Sequence, residues 1–250
     1  MKFNFNDGKL TIDCEGDSVL KMVPESFERR LVEEIEIINA ESVTTIGNWF
    51  LYGCEGLTQI DLTTISNVTR IGEGFLSYCD GLTQLDLTPL GNVKTIGDDF
   101  LACCDELKQL DLIPLCNVTR IGDYFLAWCN GLEELDLTPL CNVTTIGDDF
   151  LAYCGGLTQI DLSPLGNVTT IGDDFLAYCE GLRELDLTPL CNVTTIGNNF
   201  LFDCAALRQI DLSPLGNLTT IGTGFLYSCR RLKEIDLTPV RAALEEGKSR

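Results

Sequence analysis

Eight cysteines, Cys54, Cys79, Cys104, Cys129, Cys154, Cys179, Cys204 and Cys229, fall 25 residues apart without a slip. A fixed period of this length means stacked copies of one supersecondary unit, because a lone unit of that size cannot bury its own apolar edge. The units run 32–56, 57–81, 82–106, 107–131, 132–156, 157–181, 182–206 and 207–231, with a partial ninth from Leu232 to about Val240. No domain boundary is expected inside residues 32–240.

In the unit LTQLDLTPLGNVKTIGDDFLACCDE, residues 82–106, the apolar positions Leu82, Leu85, Leu87, Leu90, Val93, Ile96, Phe100, Leu101 and Cys104 read as the inner side of one coil. Leu85 and Leu87 have the strand period of two, and Pro89 ends that segment by removing a ladder donor. Val93 to Ile96 is a second extended segment, after which Gly97 is expected to let the chain turn. Asp98 is then placed to cap a short helical turn from Phe100 to Cys104.

Residues 1–31 lie outside the period. Their alternating apolar positions around Asp7-Gly8 signal a β-hairpin, so the segment reads as an N-terminal cap. Residues 241–250 read as a C-terminal cap, a brief polar helix on the last coil, or as a tail.

Apolar residues make up 45 % of the chain, enough for a folded core. The 38 acidic and 17 basic residues leave a net charge of −21, which repels phosphate backbones and anionic lipid, so neither nucleic acid nor membrane is an expected partner. The start lacks the apolar stretch of a signal peptide, and the chain reads as soluble and cytoplasmic, reaching a surface only if a leader has been removed. Oligomeric state is not legible.

The spacing of Leu82, Leu85 and Leu87, with Asn92 on the turn, resembles the LxxLxL…N signature of leucine-rich repeats. More narrowly, NVTTIGDDFLAYC (142–154) followed by GLTQIDLSP (156–164) is similar to the BspA-like, or treponemal, class. The chain departs from that class in the spacing between proline and valine, and in having Phe150-Leu151 where the class has Ala-Phe. The resemblance implies an α/β solenoid: a right-handed coil with a parallel β-sheet on its concave face and short strands or helical turns on its convex face. It also implies a protein-binding role on the concave face. The units are uniform enough to fit a consensus-designed scaffold as well as a natural one.

Catalysis has little to work with. There is no histidine, which removes the usual general base and the Ser-His and Cys-His nucleophile pairs, so no enzymatic activity and no cofactor are expected. Asp98 with Asp99, or Asp148 with Asp149, could in principle perform glycosidase chemistry. They recur at one place in successive coils, however, and read as caps. The cysteine column reads as buried, reduced packing, while Cys116 and Cys141 occupy equivalent turns of adjacent units, where an oxidised pair could form by accident, and Cys191 stands alone at that position later. Asn67, Asn92, Asn117, Asn142, Asn167, Asn192 and Asn217 form a column in which six members begin N-x-T sequons. Bonding of these amides to backbone of neighbouring coils, out of reach of water, is favoured over glycosylation. A threonine column from Thr44 to Thr219 could order water, but Arg70, Lys94 and Arg120 interrupt the strand it flanks.

The remaining candidate surface is the set of outward residues between the leucines. Its columns are Asp61, Asp86, Asp111, Asp136, Asp161, Asp186, Asp211 and Asp236, beside Gln109, Glu134, Gln159 and Glu184 and their equivalents. A third column carries the bases Lys108, Arg183, Arg208 and Lys233. The leading reading is a scaffold, natural or consensus-designed, without a specialised ligand site. The alternative is an interaction module that holds a basic protein or peptide on this acidic face. Carboxylates stacked about 4.8 Å apart should repel one another, raise their pKa values and make the protein more stable on mild acidification.

Overall fold

The computed structural model describes residues 1–24 and 26–247. Every apolar position of the 82–106 unit is buried, Leu85 at 8 % exposure being the most open, and the equivalent positions of the other units continue one core from Leu10 to Ala243. Phe50, Phe75, Phe100, Phe125, Phe150, Phe175 and Phe200 run through its centre, with ring centroids 5.4 Å apart between Phe100 and Phe125. Neighbouring coils bury this surface against each other, so the array is a single solenoid.

The parallel ladder runs mainly through the Thr-Ile pairs. Strands β3 (Val19–Leu20), β5 (Thr45–Ile46), β6 (Arg70–Ile71) and β7 (Thr95–Ile96) form one sheet, and β10 (Thr145–Ile146), β11 (Thr170–Ile171), β12 (Thr195–Ile196) and β13 (Thr220–Ile221) form another. Bridges from Thr95 to Arg120 and from Arg120 to Thr145 connect them. The Leu-x-Leu segment, which the sequence marks as the principal strand, forms regular strands in the repeats only at β4 (Glu34–Ile38), where isoleucines replace the leucines, β8 (Gln109–Leu110) and β9 (Glu134–Leu135). Elsewhere it runs directly into a single 3-10 turn, such as Thr88–Leu90 with Pro89 inside its first turn. Proline has no amide to give a ladder and has φ already suited to a helix start.

Two expectations are corrected. The segment 98–104 is not helical: Asp99, Leu101 and Cys103 have φ of 55°, 54° and 59°, so alternate residues lie in the left-handed region. Such residues cost about 1 kcal/mol each and need support from outside the segment. They receive it from both neighbours: the Asp99 and Cys103 amides donate to Asp123 and Ala127 of the next coil, each at 2.8 Å, and the Leu101 amide donates back to Phe75 at 3.0 Å. Gly97 is required by contact, not by a turn. A Cβ there would lie 2.6 Å from the Gly72 carbonyl carbon and 2.7 Å from the Glu73 nitrogen, so glycine sets the closeness of the coils.

The ends also differ from the expected division. Strands β1 (Lys2–Asn6) and β2 (Lys9–Asp13) form the hairpin, with Asp7 and Gly8 at φ of 50° and 81°. However, β2 also pairs in parallel with β4 (Glu34–Ile38), Leu10 opposite Ile35, while Leu20 of β3 lies opposite Ile46. The described residues between 9 and 31 therefore form an irregular coil. The offset changes from 25 to 26 residues between those two pairings, which hides it from a search for a fixed period. At the other end α1 (Arg241–Gly247) covers the last coil, with Ala243 buried. Residues 248–250 of the expected cap lie outside the described residues.

Candidate functional site

All eight ladder aspartates are exposed, as are Gln109, Glu134, Gln159 and Glu184. In the middle of this face Gln109, Asp111, Glu134, Asp136, Gln159 and Asp161 line an open groove of about 840 Å³, floored by Leu110, Leu135 and Ile160. A second groove of about 440 Å³ lies between Glu184, Asp186, Gln209 and Asp211.

Each ladder carboxylate is tied to its own coil. Oδ1 of Asp61, Asp86, Asp111, Asp136, Asp161, Asp186, Asp211 and Asp236 accepts the backbone N–H two residues on, at 2.8 Å in every case. This is an Asx turn leading into the 3-10 turn, and it explains the aspartate in structural terms. The expected rise in pKa is overturned. The Thr88 hydroxyl and amide lower Asp86, the corresponding groups lower Asp136, Asp161, Asp186, Asp211 and Asp236, and the Thr63 amide leads for Asp61. Local bonds to the charged form outweigh repulsion between exposed carboxylates, which water screens.

The unmet repulsion lies in the other acid row. Asp98 Oδ1 accepts the Asp123 amide of the next coil at 2.9 Å, Asp123 accepts that of Asp148 at 2.9 Å, and Asp148 that of Asp173 at 2.7 Å. These are staples between coils, not helix caps. Their neighbours Asp99, Asp149 and Asp174 are half-buried. Desolvation, followed by the adjacent carboxylates, raises Asp99 and lifts Asp149 to about 6; desolvation also raises Asp174, against a bond from Asn199 that lowers it.

The cysteine column is buried, with each thiol from Cys79 to Cys229 donating to a leucine carbonyl of the preceding coil, as Cys129 does to Leu101 at 3.2 Å. Cysteine here is a donor as well as a small apolar residue. The asparagine amides also reach one coil back, Asn142 to the Cys116 carbonyl and Asn167 to that of Cys141, both at 3.0 Å. Their side chains are exposed, contrary to the expectation that water is excluded.

One row was not read from the sequence. Trp128, Tyr153 and Tyr178 occupy the position of Cys103 in successive coils, and Phe202 and Tyr227 continue the row one residue earlier in the unit. Ring centroids step by 5.0, 4.2, 5.1 and 5.4 Å along it. Setting the units under one another would have exposed the first three.

A BspA-type leucine-rich repeat region, in six copies, matches residues 15–133 and 144–245. The chain belongs to the BspA-type leucine-rich repeat family. Its repeats also match a leucine-rich repeat protein from Bacteroides ovatus, at 22 % identity and a TM-score of 0.61, over 94 % of this chain and 74 % of that one. The functional domain of InlJ from Listeria monocytogenes matches at 19 % identity and a TM-score of 0.45, over 93 % of this chain and 56 % of that one. A leucine-rich repeat protein of T. pallidum matches at 16 % and 0.43, over 96 % and 91 %. No curated protein matches the chain. No helix among the described residues of this BspA-type repeat protein is long and apolar enough to cross a membrane.

Proposed function

We propose that this chain is a non-enzymatic interaction scaffold whose Asp-ladder face holds a basic protein or peptide. The observation that supports it is the groove between Asp111, Asp136 and Asp161, whose carboxylates are fixed in direction by their own backbone amides. Pre-oriented charges lose little freedom on binding, so they favour affinity and a defined register for a cationic partner. The repeat family, built on an uninterrupted core with exposed polar columns, suits a binding surface better than a reaction site. A cytoplasmic location goes with this reading, because the exposed Cys116, Cys141 and Cys191 stay reduced in a reducing compartment.

A structural scaffold with no ligand of its own is the second reading, favoured by the near identity of the ladder columns from coil to coil. A peptide-array screen separates the two. One saturable basic partner, lost on Asp136→Lys with Asp161→Lys, supports the interaction scaffold. Binding that never saturates, or that survives both substitutions, leaves the structural scaffold.

A further inference from the structure

The fold does not need the outer aromatic row. The interior Phe column already fills the core, and at the positions of Trp128, Tyr153 and Tyr178 four other coils close with Gly53, Cys103, Asp203 or Ser228, while Tyr78 pairs separately with Tyr52. Alanine at 127, 152 and 177 likewise fills the place that Phe202 and Tyr227 take. Five successive coils nevertheless carry a stacked ring, Tyr227 is 65 % exposed, and Trp128, Tyr153 and Tyr178 are each partly exposed. Trp128, Tyr153 and Tyr178 stack face to face along the solenoid and Phe202 follows at a tilt of 48°, so the row presents a ribbon of ring edges and hydroxyls to solvent. Tyr and Trp held rigid in this way are the residue types that anchor protein interfaces.

From Trp128 to Phe202 the surroundings of the ribbon carry one sign of charge, whereas the coil of Tyr227 adds Arg230 and Arg231. Residues 122–131, 147–156, 172–181 and 197–206 contain no lysine or arginine, and they hold Asp123, Asp148, Asp149, Asp173, Asp174, Glu180 and Asp203. The ladder face differs, since it carries its own bases at Lys108, Arg183 and Arg208. Asp149 and Asp174 face the ribbon. Desolvation and a bond to Tyr178 lead the rise of the Tyr153 hydroxyl to about 12, and these two carboxylates add to it. Acids crowded against aromatic rings with no base nearby are complementary to a cation that brings its own apolar stem.

We infer that the ribbon from Trp128 to Phe202, with Asp149 and Asp174 along it, is a second docking surface, one that takes an extended arginine- and lysine-rich segment of another protein. It rests on the scaffold reading but uses a different face, so each can fail without the other. The guanidinium and ammonium groups pair with Asp149 and Asp174 while their methylene stems lie on the ring edges.

Trp128 supplies its own probe. With Trp49→Phe as background it is the sole tryptophan, and an acetylated nine-residue oligoarginine peptide is titrated at 0.15 M salt while Trp128 emission is followed. The expected result is a saturable change. Tyr153→Ser with Tyr178→Ser, and separately Asp149→Asn with Asp174→Asn, each weaken binding at least tenfold. Asp136→Lys with Asp161→Lys leaves it within twofold. Serine and asparagine already stand in these columns at Ser228 and Asn199, and unchanged circular dichroism establishes folding of each variant. Affinity lost only in the ladder variant places the peptide in the groove and overturns the second surface. So does the absence of saturation up to millimolar peptide, or an equal response to calcium chloride alone, which marks a metal site.

Discussion

The Cys154 thiol donates to the carbonyl of Leu126, one coil back, across 3.1 Å, and Leu126 is itself held at φ of 52°. A left-handed leucine turns its carbonyl along the solenoid, where the next coil has no backbone amide for it, and the thiol supplies the missing donor. Burial together with the neighbouring thiols keeps Cys154 protonated by raising its pKa well above the usual thiol range. Cys154→Ala removes the donor and opens a small void, and should cost about 2 kcal/mol, lowering the thermal midpoint by about 4–8 °C. An unchanged midpoint in differential scanning calorimetry contradicts the role given to this bond.

The same geometry divides the thiols into two sets. Cys116, Cys141 and Cys191 are exposed, Cys103 is half-buried, and the rest of the thirteen are buried. A maleimide added to native protein should label the first three within minutes and Cys103 more slowly, with the others reacting only in denaturant. Peptide mapping by mass spectrometry reads this directly. Rapid native labelling of Cys104, Cys129 or Cys154 places the column outside the core.

Ser77 takes the place that Ala102, Ala127, Ala152 and Ala177 hold in later coils. It is fully buried, and its hydroxyl finds no partner among the described residues. A buried hydroxyl without a partner costs about 1–3 kcal/mol. Ser77→Ala should raise the thermal midpoint by at least about 2–4 °C, the shift that goes with about 1 kcal/mol. A lower midpoint in the variant means that the hydroxyl is bonded in solution.

Mild acid should stabilise the protein, through Asp149 and its neighbours and not through the ladder. With a folded pKa of about 6 against an ordinary aspartate value of 3.8, Asp149 binds protons that the unfolded chain does not, so its unfavourable contribution is full above pH 6 and fades as the pH falls through it. Asp99 and Asp174, also raised, act in the same direction. The lowered ladder aspartates act oppositely: they stabilise above the unfolded carboxylate range, and that contribution is lost only as acid reaches their folded values. The thermal midpoint should therefore rise from pH 7 to about 5 and fall below about 4. Asp149 is only half-buried, so screening by water reduces its effect to about 1 kcal/mol. Asp149→Asn should raise the neutral midpoint by about 2–4 °C and flatten the rise toward pH 5. A midpoint that declines steadily from pH 7 in the parent chain contradicts this.

The sequence carries the coil well and the acids poorly, for a physical reason. Burial acts on every unit alike, so the inward positions from Leu82 to Cys104 repeat visibly, and Asp7-Gly8 announces its hairpin through turn chemistry. The alternating left-handed stretch from Asp99 to Cys103 has no local signature, because its support comes from amides and carbonyls of other coils. Spacing alone suggested that Asp136 and Asp161 repel. Their bonds to Thr138 and Ser163 amides depend on a backbone angle that residue identity does not reveal. The first coil was missed for one residue of slip, and the row of Trp128, Tyr153 and Tyr178 because a search for conserved spacing passes over a position where the residue type changes.

Both proposed surfaces depend on the two acid rows having opposite character, one satisfied by its own backbone and the other crowded and unpaired with any base. Site-resolved carbon NMR of the aspartate carboxyls through a pH titration measures that difference directly. Asp136 and Asp161 should titrate below the usual aspartate range, and Asp149 near 6. Ladder aspartates that titrate above the usual range, with Asp149 at or below it, contradict the division of the acids on which both surfaces rest.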